Sequence, residues 1–192
     1  RFPLDYGNQR PLSASWTVTG SGAFALGLNQ KCRAHITGMT PGRIVDYGLK
    51  DSMNMGACMA PAAADTVARH MEDFHVTPEE YDRIITGDLG SVGQTVLIDL
   101  LREKGIDIAD RHMDCGIEIF DAEAQDTHAG GSGCGCSAVT LAAYILPKLE
   151  SGEWKKVLFL PTGALLSKTS FNEGKSVPGI AHAVVLESPA VK

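Results

Sequence analysis

A glycine-rich run holds the residues whose types and spacing could most readily do chemistry. It extends over residues 126–137 (DTHAGGSGCGCS) and leads into apolar residues at helical spacing. Glycine leaves neighbouring backbone N–H groups unshielded, and a helix N-terminus favours an anion. The run therefore predicts an anion site at Gly131, Ser132 and Gly133, with the Ser132 hydroxyl as a further donor. Alternatively, the glycines only allow a helix to pack closely against a sheet.

Two thiols and an imidazole in the same run leave three interpretations open. Cys134 at a helix N-terminus would be a nucleophile, since that position favours the thiolate, and His128 would be its base. Cys134 and Cys136 could instead bind zinc with His128 and Cys115, although structural zinc pairs usually have two to four residues between them. The third interpretation is that these are small thiols packed against a sheet.

Asp88 is a candidate from another part of the chain. It follows the short apolar strand predicted at 83–86 and lies in a loop with Gly87 and Gly90. The carboxyl ends of strands line ligand crevices in α/β sheets, so Asp88 is expected in a pocket. A turn aspartate that caps the following helix is the alternative.

The elements that must position these residues can be predicted from hydrophobic periodicity. The pattern predicts strands at 32–36, 83–86, 157–160 and 181–186, helices at 60–74, 92–101 and 138–149, and a hairpin between 16–28 and 32–36. The acidic stretch 107–126 is expected to be an irregular, solvated loop, and Pro147 to kink or end the third helix. Strands that alternate with helices indicate an α/β fold with a layered sheet.

Composition limits the classes of partner. The chain has 192 residues, with Lys+Arg 17 and Asp+Glu 23, a formal net charge of −6. This acidic balance, without a basic block, argues against nucleic acid as a partner. No apolar run is long enough to predict a membrane-spanning helix. The five cysteines are an odd number and most are widely spread, which favours a reducing, intracellular setting over a disulfide framework.

Several long motifs in order resemble one family. They are WTVTGSGAFALG, NMGACMAPAAADT, YDRIITGDLGSVG, DTHAGGSGCGCSAV and PGIAHAVVLE. Together they resemble the stage V sporulation AD family, thiolase-like proteins of endospore-forming bacteria, from Arg1 to about Glu187. The resemblance implies two βαβαβαββ halves stacked into a layered α/β/α/β/α sandwich. It assigns residues 1–48 to the terminal β-hairpin of the first half and 49–192 to the second half, with the first part of the protein absent from this sequence.

The resemblance also bears on catalysis. Related ketosynthases place a histidine where this chain has 86–89 (TGDL), and an asparagine or histidine near 130–133 (GGSG). Thiolases place their second cysteine where it has 161–164 (PTGA). None of the three positions carries the catalytic residue type, so no catalytic residue is expected. The alternative is a condensing enzyme or acyltransferase that uses acyl thioesters, with His128, Cys134 or Cys136 as unusual partners.

The family resemblance implies a ligand and a place in the cell. It implies a non-catalytic subunit that binds dipicolinic acid, as its calcium chelate, for uptake into the developing spore. The expected ligand-binding residues are Asp88, His128, Gly131, Ser132, Gly133 and Cys134. No cofactor or resident metal is expected, only calcium carried with dipicolinate. The expected partners are membrane proteins of the same operon at the inner membrane of the forespore, and a homodimer is expected by analogy with thiolases.

Overall fold

A mixed five-stranded sheet forms the centre of the fold. The computed structural model describes residues 11–28 and 31–190. The strand order is β2-β9-β6-β3-β4. The strands are β2 (His35–Thr40), β3 (Arg83–Thr86), β4 (His112–Asp114), β6 (Lys156–Leu160) and β9 (Ala183–Glu187). β3 runs parallel to β4 and β6, whereas β9 is antiparallel to β6 and β2.

The remaining strands form two short pairs. β1 (Trp16–Thr17) lies parallel to β5 (Gly131–Ser132), and β7 (Thr162–Ala164) is antiparallel to β8 (Gly179–Ala181). The β1–β5 pair fixes the N-terminal segment against the glycine-rich run. The β7–β8 pair follows directly from the carboxyl end of β6.

Helices connect the strands, and the longest of them lie where the hydrophobic periodicity of the sequence predicts a helix. They are α1 (Met55–Phe74), α2 (Gly90–Arg102), α3 (Cys115–Glu118), α4 (Ala122–Gln125), α5 (Cys136–Thr140), α6 (Leu146–Glu150) and α7 (Lys168–Asn172). A 3₁₀ turn, Pro78–Glu80, has a capping box at Thr77. A π-helical turn, Leu141–Ile145, joins α5 and α6 into one continuous helical segment.

The sheet separates two hydrophobic cores. On one face α1 and α2 pack against alternate residues of β3, β6 and β9, including Ile84, Leu158 and Val185. On the other face Ile145 and Leu149 of the α5–α6 segment pack on the intervening residues. Successive strand residues point to opposite faces, so the strands of a sheet covered on both sides are apolar throughout. The result is a three-layered α/β/α arrangement, as the α/β prediction requires.

The order of the main elements along the chain is β2–α1–β3–α2–β4–(α5–α6)–β6–β9. This is the βαβαβαββ order that the resemblance predicts for one thiolase-like half. β2 shares the sheet with β9, so the sheet includes residues on both sides of the predicted division at 48/49. The assignment of the preceding residues to another half stays a prediction. Residues 1–10, 29–30 and 191–192 of that division lie outside the described part of the chain.

Two expectations about the elements are wrong, and so is one of the two alternatives for Pro147. Residues 16–28 and 32–36 do not form a hairpin, because β1 pairs with β5 and β2 pairs with β9. The acidic stretch 107–126 is not wholly irregular: it contains β4, α3 and α4. Pro147 does not end the helix, which continues to Glu150; the π-helical turn precedes it, where proline removes an intrahelical hydrogen bond.

Candidate functional site

A pocket of about 390 Å³ lies at the carboxyl ends of β3 and β6. This is the edge at which α/β sheets place their ligands. The first turns of α1 and α2 and the residues just before α5 also border it. It is lined by Ser13, Ala14, Ser15, Ser52, Met53, Met55, Gly56, Met59, Asp88, Leu89, Ala129, Ser132, Gly133, Cys134, Thr162, Gly163 and Ala164. Four of the six predicted ligand-binding residues are in that set.

Asp88 occupies the centre of the polar wall. Its Oδ2 accepts a hydrogen bond from Gly133 N–H at 2.9 Å. Its Oδ1 accepts one from the Thr162 hydroxyl at 3.1 Å, and its own N–H donates to that hydroxyl oxygen at 3.1 Å. A single carboxylate thus joins the β3–α2 loop, the glycine-rich run and the start of β7. Asp88 therefore lies in a pocket, as predicted from its place after a strand.

The glycine-rich run both borders the pocket and packs closely. Gly133, at a φ of 115°, and Ser132 line the pocket. Ser132 is 7% exposed, and its hydroxyl oxygen accepts a hydrogen bond from the Ser15 hydroxyl at 2.7 Å. Gly131 is a packing residue, because a Cβ there would lie 2.8 Å from side-chain atoms of Ile119 and Val18. The packing interpretation therefore applies to Gly131, and the anion site at Ser132 and Gly133 stays a prediction.

His128 and Gly131 are the predicted site residues that the structure places outside the pocket lining. The His128 Nδ1 donates to the Pro11 carbonyl oxygen at 3.0 Å, and its Nε2 lies 3.3 Å from an Asp126 carboxylate oxygen. Its backbone has a left-handed φ of 52°. The imidazole therefore bonds to the N-terminal segment, while Cys134 lies at the pocket.

The thiols of the run have different surroundings. Cys134 is exposed and lines the pocket, whereas Cys136 and Cys115 are fully buried. Burial raises the pKa of Cys136 to about 12, and burial also raises the pKa of Cys115 strongly. The Cys136 thiol donates to the Gly87 carbonyl oxygen at 3.7 Å. Cys136 and Cys115 therefore fit the packing interpretation. Within the described residues, no group of three or more histidine, cysteine or acidic side chains could hold a metal ion.

Sequence analysis missed a buried carboxylate next to the site. Asp114 ends β4 and is 1% exposed. Its Oδ2 accepts from the Thr86 hydroxyl at 2.6 Å and from Leu89 N–H at 2.9 Å. Its Oδ1 accepts from Gly90 N–H at 3.1 Å and Gly116 N–H at 3.0 Å. The sequence carries one signal for Asp114, which is an aspartate directly after a short polar–apolar segment. The surrounding acidic residues made a solvated loop the default interpretation.

A chain of polar side chains supports Asp114. The Thr86 hydroxyl oxygen lies 2.9 Å from His112 Nε2, and His112 Nδ1 lies 2.8 Å from the Gln94 side-chain nitrogen. Desolvation lowers the pKa of His112 to about 4, against a smaller opposing effect of the Asp114 charge. The ring is therefore neutral near pH 7. Since Thr86 donates to Asp114, Nε2–H donates to Thr86 and Nδ1 accepts from Gln94.

The electrostatics of the pocket combine helix N-termini with internal carboxylates. The N-terminus of a helix carries a partial positive charge. At α2 that charge faces Asp114, through Leu89 and Gly90, and just before α5 the Gly133 N–H faces Asp88. The first turn of α1 is capped by Asn54, whose neutral amide oxygen accepts from Ala57 N–H. The pocket thus has one neutral-capped helix N-terminus, several hydroxyls and one carboxylate in its wall.

The βαβαβαββ order, with a pocket at the carboxyl ends of its parallel strands, is the order expected for one thiolase-like half. The family model for stage V sporulation protein AD (SpoVAD) matches residues 1–187. The stage V sporulation protein AD of Bacillus subtilis (strain 168) is 43% identical over 187 residues, 97% of this chain and 55% of the relative. The chain belongs to the stage V sporulation protein AD family, and it spans about half the length of that curated relative.

The solved structures that match include a thiolase and a 3-oxoacyl-[acyl-carrier-protein] synthase. Human mitochondrial 3-ketoacyl-CoA thiolase matches with a TM-score of 0.42 and 15% identity, over 81% of this chain and 30% of that one. The 3-oxoacyl-[acyl-carrier-protein] synthase III of Aquifex aeolicus VF5 matches with 0.43 and 15%, over 82% and 46%. Both TM-scores are below 0.5, so the family assignment rests on sequence alone. Among the described residues, no helix is long and apolar enough to cross a membrane.

Proposed function

We propose that the pocket beside Asp88 binds dipicolinic acid, as its calcium chelate, for uptake into the developing spore. The family assignment supports a sporulation role, and the pocket supplies a place for a small polar ligand. The observation that carries the proposal is the pocket itself, with Asp88, Ser132 and Thr162 on one wall. Its volume of about 390 Å³ is in the range of small-molecule sites.

The calcium chelate suits the charges of this wall better than the free dianion does. A doubly negative ligand would lie against the Asp88 carboxylate, which repels it. In a one-to-one chelate the calcium charge offsets both ligand carboxylates. Calcium takes six to eight oxygen ligands, so beside those of dipicolinate it could accept one from Asp88 or a pocket hydroxyl.

The remaining walls fit a flat aromatic acid. Met53, Met55 and Met59 line the side formed by α1, and thioether side chains pack well against aromatic rings. Ser52 and Ser132 also line the pocket, and their hydroxyls supply donors for ligand carboxylates, since the Ser13 and Ser15 hydroxyls donate to the Met53 carbonyl oxygen and to Ser132. An apolar side and a polar side together would orient a ring that carries its carboxylates on one edge.

The alternative of an acyl-thioester enzyme has less support. Such an enzyme needs an activated thiol and a base or proton donor in the pocket. Cys115 and Cys136 have raised pKa values, and the His128 ring bonds to Pro11. We therefore propose a binding protein without catalysis. We also propose that it acts at the inner forespore membrane with membrane proteins of its operon, and as a homodimer.

Calorimetric titration of calcium-dipicolinate into the full-length protein tests the ligand. We expect saturable one-to-one binding that Ser132→Ala weakens, with Ser151→Ala as the matched control because Ser151 lies at the far end of the α5–α6 segment. Calcium chloride alone and dipicolinate with a chelator are titrated beside it. No heat with calcium-dipicolinate would reject the proposal, and a mass increase on cysteine after incubation with acyl-CoA would then favour the enzyme.

A further inference from the structure

The polar residues of the pocket wall are held by a carboxylate that does not line the pocket. Asp88 lies on the loop between Thr86 and Gly90, which joins β3 to α2. The hydrogen bonds from Asp88 to Gly133 and Thr162 are long-range contacts, so their lengths depend on where this loop sits. Nothing in the loop sequence fixes that position, since Gly87 and Gly90 have wide conformational freedom.

Asp114 fixes the loop on both sides of Asp88. It accepts from the Thr86 hydroxyl two residues before, and from the backbone N–H groups of Leu89 and Gly90 directly after. The same carboxylate accepts from Gly116 N–H and, at 3.3 Å, from Ile117 N–H at the start of α3. Hydrogen bonds to a charged acceptor are about twice as strong as neutral ones. Five such donors on one buried carboxylate leave the loop little freedom to shift.

The supporting chain of side chains fixes the direction of the hydrogen bond from Thr86 to Asp114. Neutral His112 donates to Thr86, so the Thr86 hydroxyl hydrogen is directed at Asp114. Gln94 of α2 in turn donates to His112. The chain runs from α2 through β4 to β3, and Thr86 and His112 each have a partner on both sides. A fully satisfied polar network of this kind rigidifies its surroundings.

We propose that Asp114, supported by Thr86, is a positioning residue that sets the place of the Asp88 carboxylate in the pocket. Asp114 acts through Leu89 and Gly90 and touches no ligand. The inference concerns the site of the proposed function, but its first test needs no ligand. Asp88 accepts from the Gly133 amide, so exchange at Gly133 reports the position of Asp88. Thr86→Val is the decisive variant, because Asp114 also caps α3, whose Gly116 packs against Gly131.

Amide hydrogen exchange of the full-length protein provides that test, with the variants Asp114→Asn, Thr86→Val and Thr86→Ser. We expect Gly133 exchange to be about tenfold faster in Asp114→Asn and Thr86→Val, and unchanged in Thr86→Ser, which keeps the hydroxyl. The Phe159 amide in β6 is the control for global opening. Unchanged exchange at Gly133 in both Asp114→Asn and Thr86→Val would overturn the proposal. So would equal acceleration at Gly133 and Phe159.

Titration with calcium-dipicolinate tests the positioning role of Asp114 separately from the proposed ligand. If wild-type protein binds calcium-dipicolinate, Thr86→Val is expected to weaken it about tenfold and Thr86→Ser to restore it. Equal affinity of the Val and Ser variants would overturn the positioning role at the level of ligand binding. If wild-type protein binds no dipicolinate, the proposed ligand fails, and the exchange pattern at Gly133 decides the positioning role alone.

Discussion

The Asp88 carboxylate accepts a hydrogen bond from the Gly133 backbone N–H at 2.9 Å, across 45 residues of sequence. The amide that sequence analysis offered to a ligand anion is therefore bonded to an anion of the protein itself. This contact joins the two strongest candidate segments into one wall. It also means that any carboxylate of a ligand must use other donors or displace Asp88.

The Asp88→Asn substitution tests the calcium preference. Removing the charge takes away the repulsion of free dipicolinate, and it replaces a charged carboxylate ligand of calcium by a neutral amide oxygen. We expect the chelate to bind about tenfold more weakly and the preference for chelate over free acid to shrink. Titrations with and without calcium measure both. Asp126→Asn is the control, because Asp126 is exposed and outside the lining. An unaltered calcium dependence in Asp88→Asn would remove calcium recognition from the proposal.

Thiol labelling tests the exposure pattern around the pocket. The pKa of Cys136 is raised to about 12, and Cys115 is buried as well, so neither is expected to react with iodoacetamide at pH 8 in the folded protein. Cys134 is expected to react, and calcium-dipicolinate to slow that reaction. Peptide mass spectrometry measures the extent of labelling at each cysteine. Cys32, outside the pocket lining, is the internal reference; equal slowing at Cys32 and Cys134 would contradict a local effect.

Stability should depend on pH through His112. Its folded pKa of about 4 lies below the ordinary value of 6.5, so the unfolded state binds more protons between those values. The stability from the neutral ring is complete above about pH 6.5 and is lost as pH falls toward 4, by up to about 3 kcal/mol. The free energy of unfolding, measured in urea at several pH values in this range, should fall less steeply with decreasing pH in His112→Gln than in wild type. The exposed His35→Gln is the control, and parallel curves for wild type and His112→Gln would contradict the assignment.

The close contact of α1 and α2 leaves no room for a side chain at Gly93. A Cβ on Gly93 would lie 2.8 Å from the Gly56 carbonyl oxygen and 2.9 Å from the Gly56 Cα. Backbone atoms cannot move aside as a flexible side chain does. We expect Gly93→Ala to lower the free energy of unfolding by about 1–3 kcal/mol, despite the better helix propensity of alanine. Gly27→Ala, which meets no described atom within 4 Å, should be neutral in the same denaturation experiment.

Local periodicity predicted most of the fold because the elements are strongly patterned. The strand at 83–86 has the predicted bounds, and α1 and α2 extend the predicted helices by a few residues. β4 was missed because it has only three residues, His112–Asp114, among acids that favour solvent. β1 was assigned the wrong partner because its pairing with β5 is fixed by contacts with residues far along the chain, which no local pattern encodes.

The candidate site could be predicted only in part for the same reason. Asp88, Ser132, Gly133 and Cys134 follow from general rules about strand ends and helix starts. Thr162 and Ser15 reach the pocket from β7 and the N-terminal segment, and their types are common on any surface. His128 was expected in the site by its nearness in sequence, but its left-handed backbone and its bond to Pro11 place the ring elsewhere.

The pairing of β1 with β5 has a consequence for how the molecule assembles. Ser15 and Ser132 are separated by 117 residues, so the pocket wall they share needs a very long loop to close. Contacts of this separation form late in folding, after the local helices and neighbouring strands. During synthesis the N-terminal segment must wait for the glycine-rich run to emerge. This wall of the pocket is thus completed only after the local helices and neighbouring strands, and an occupant would speed refolding only if it joined those two segments.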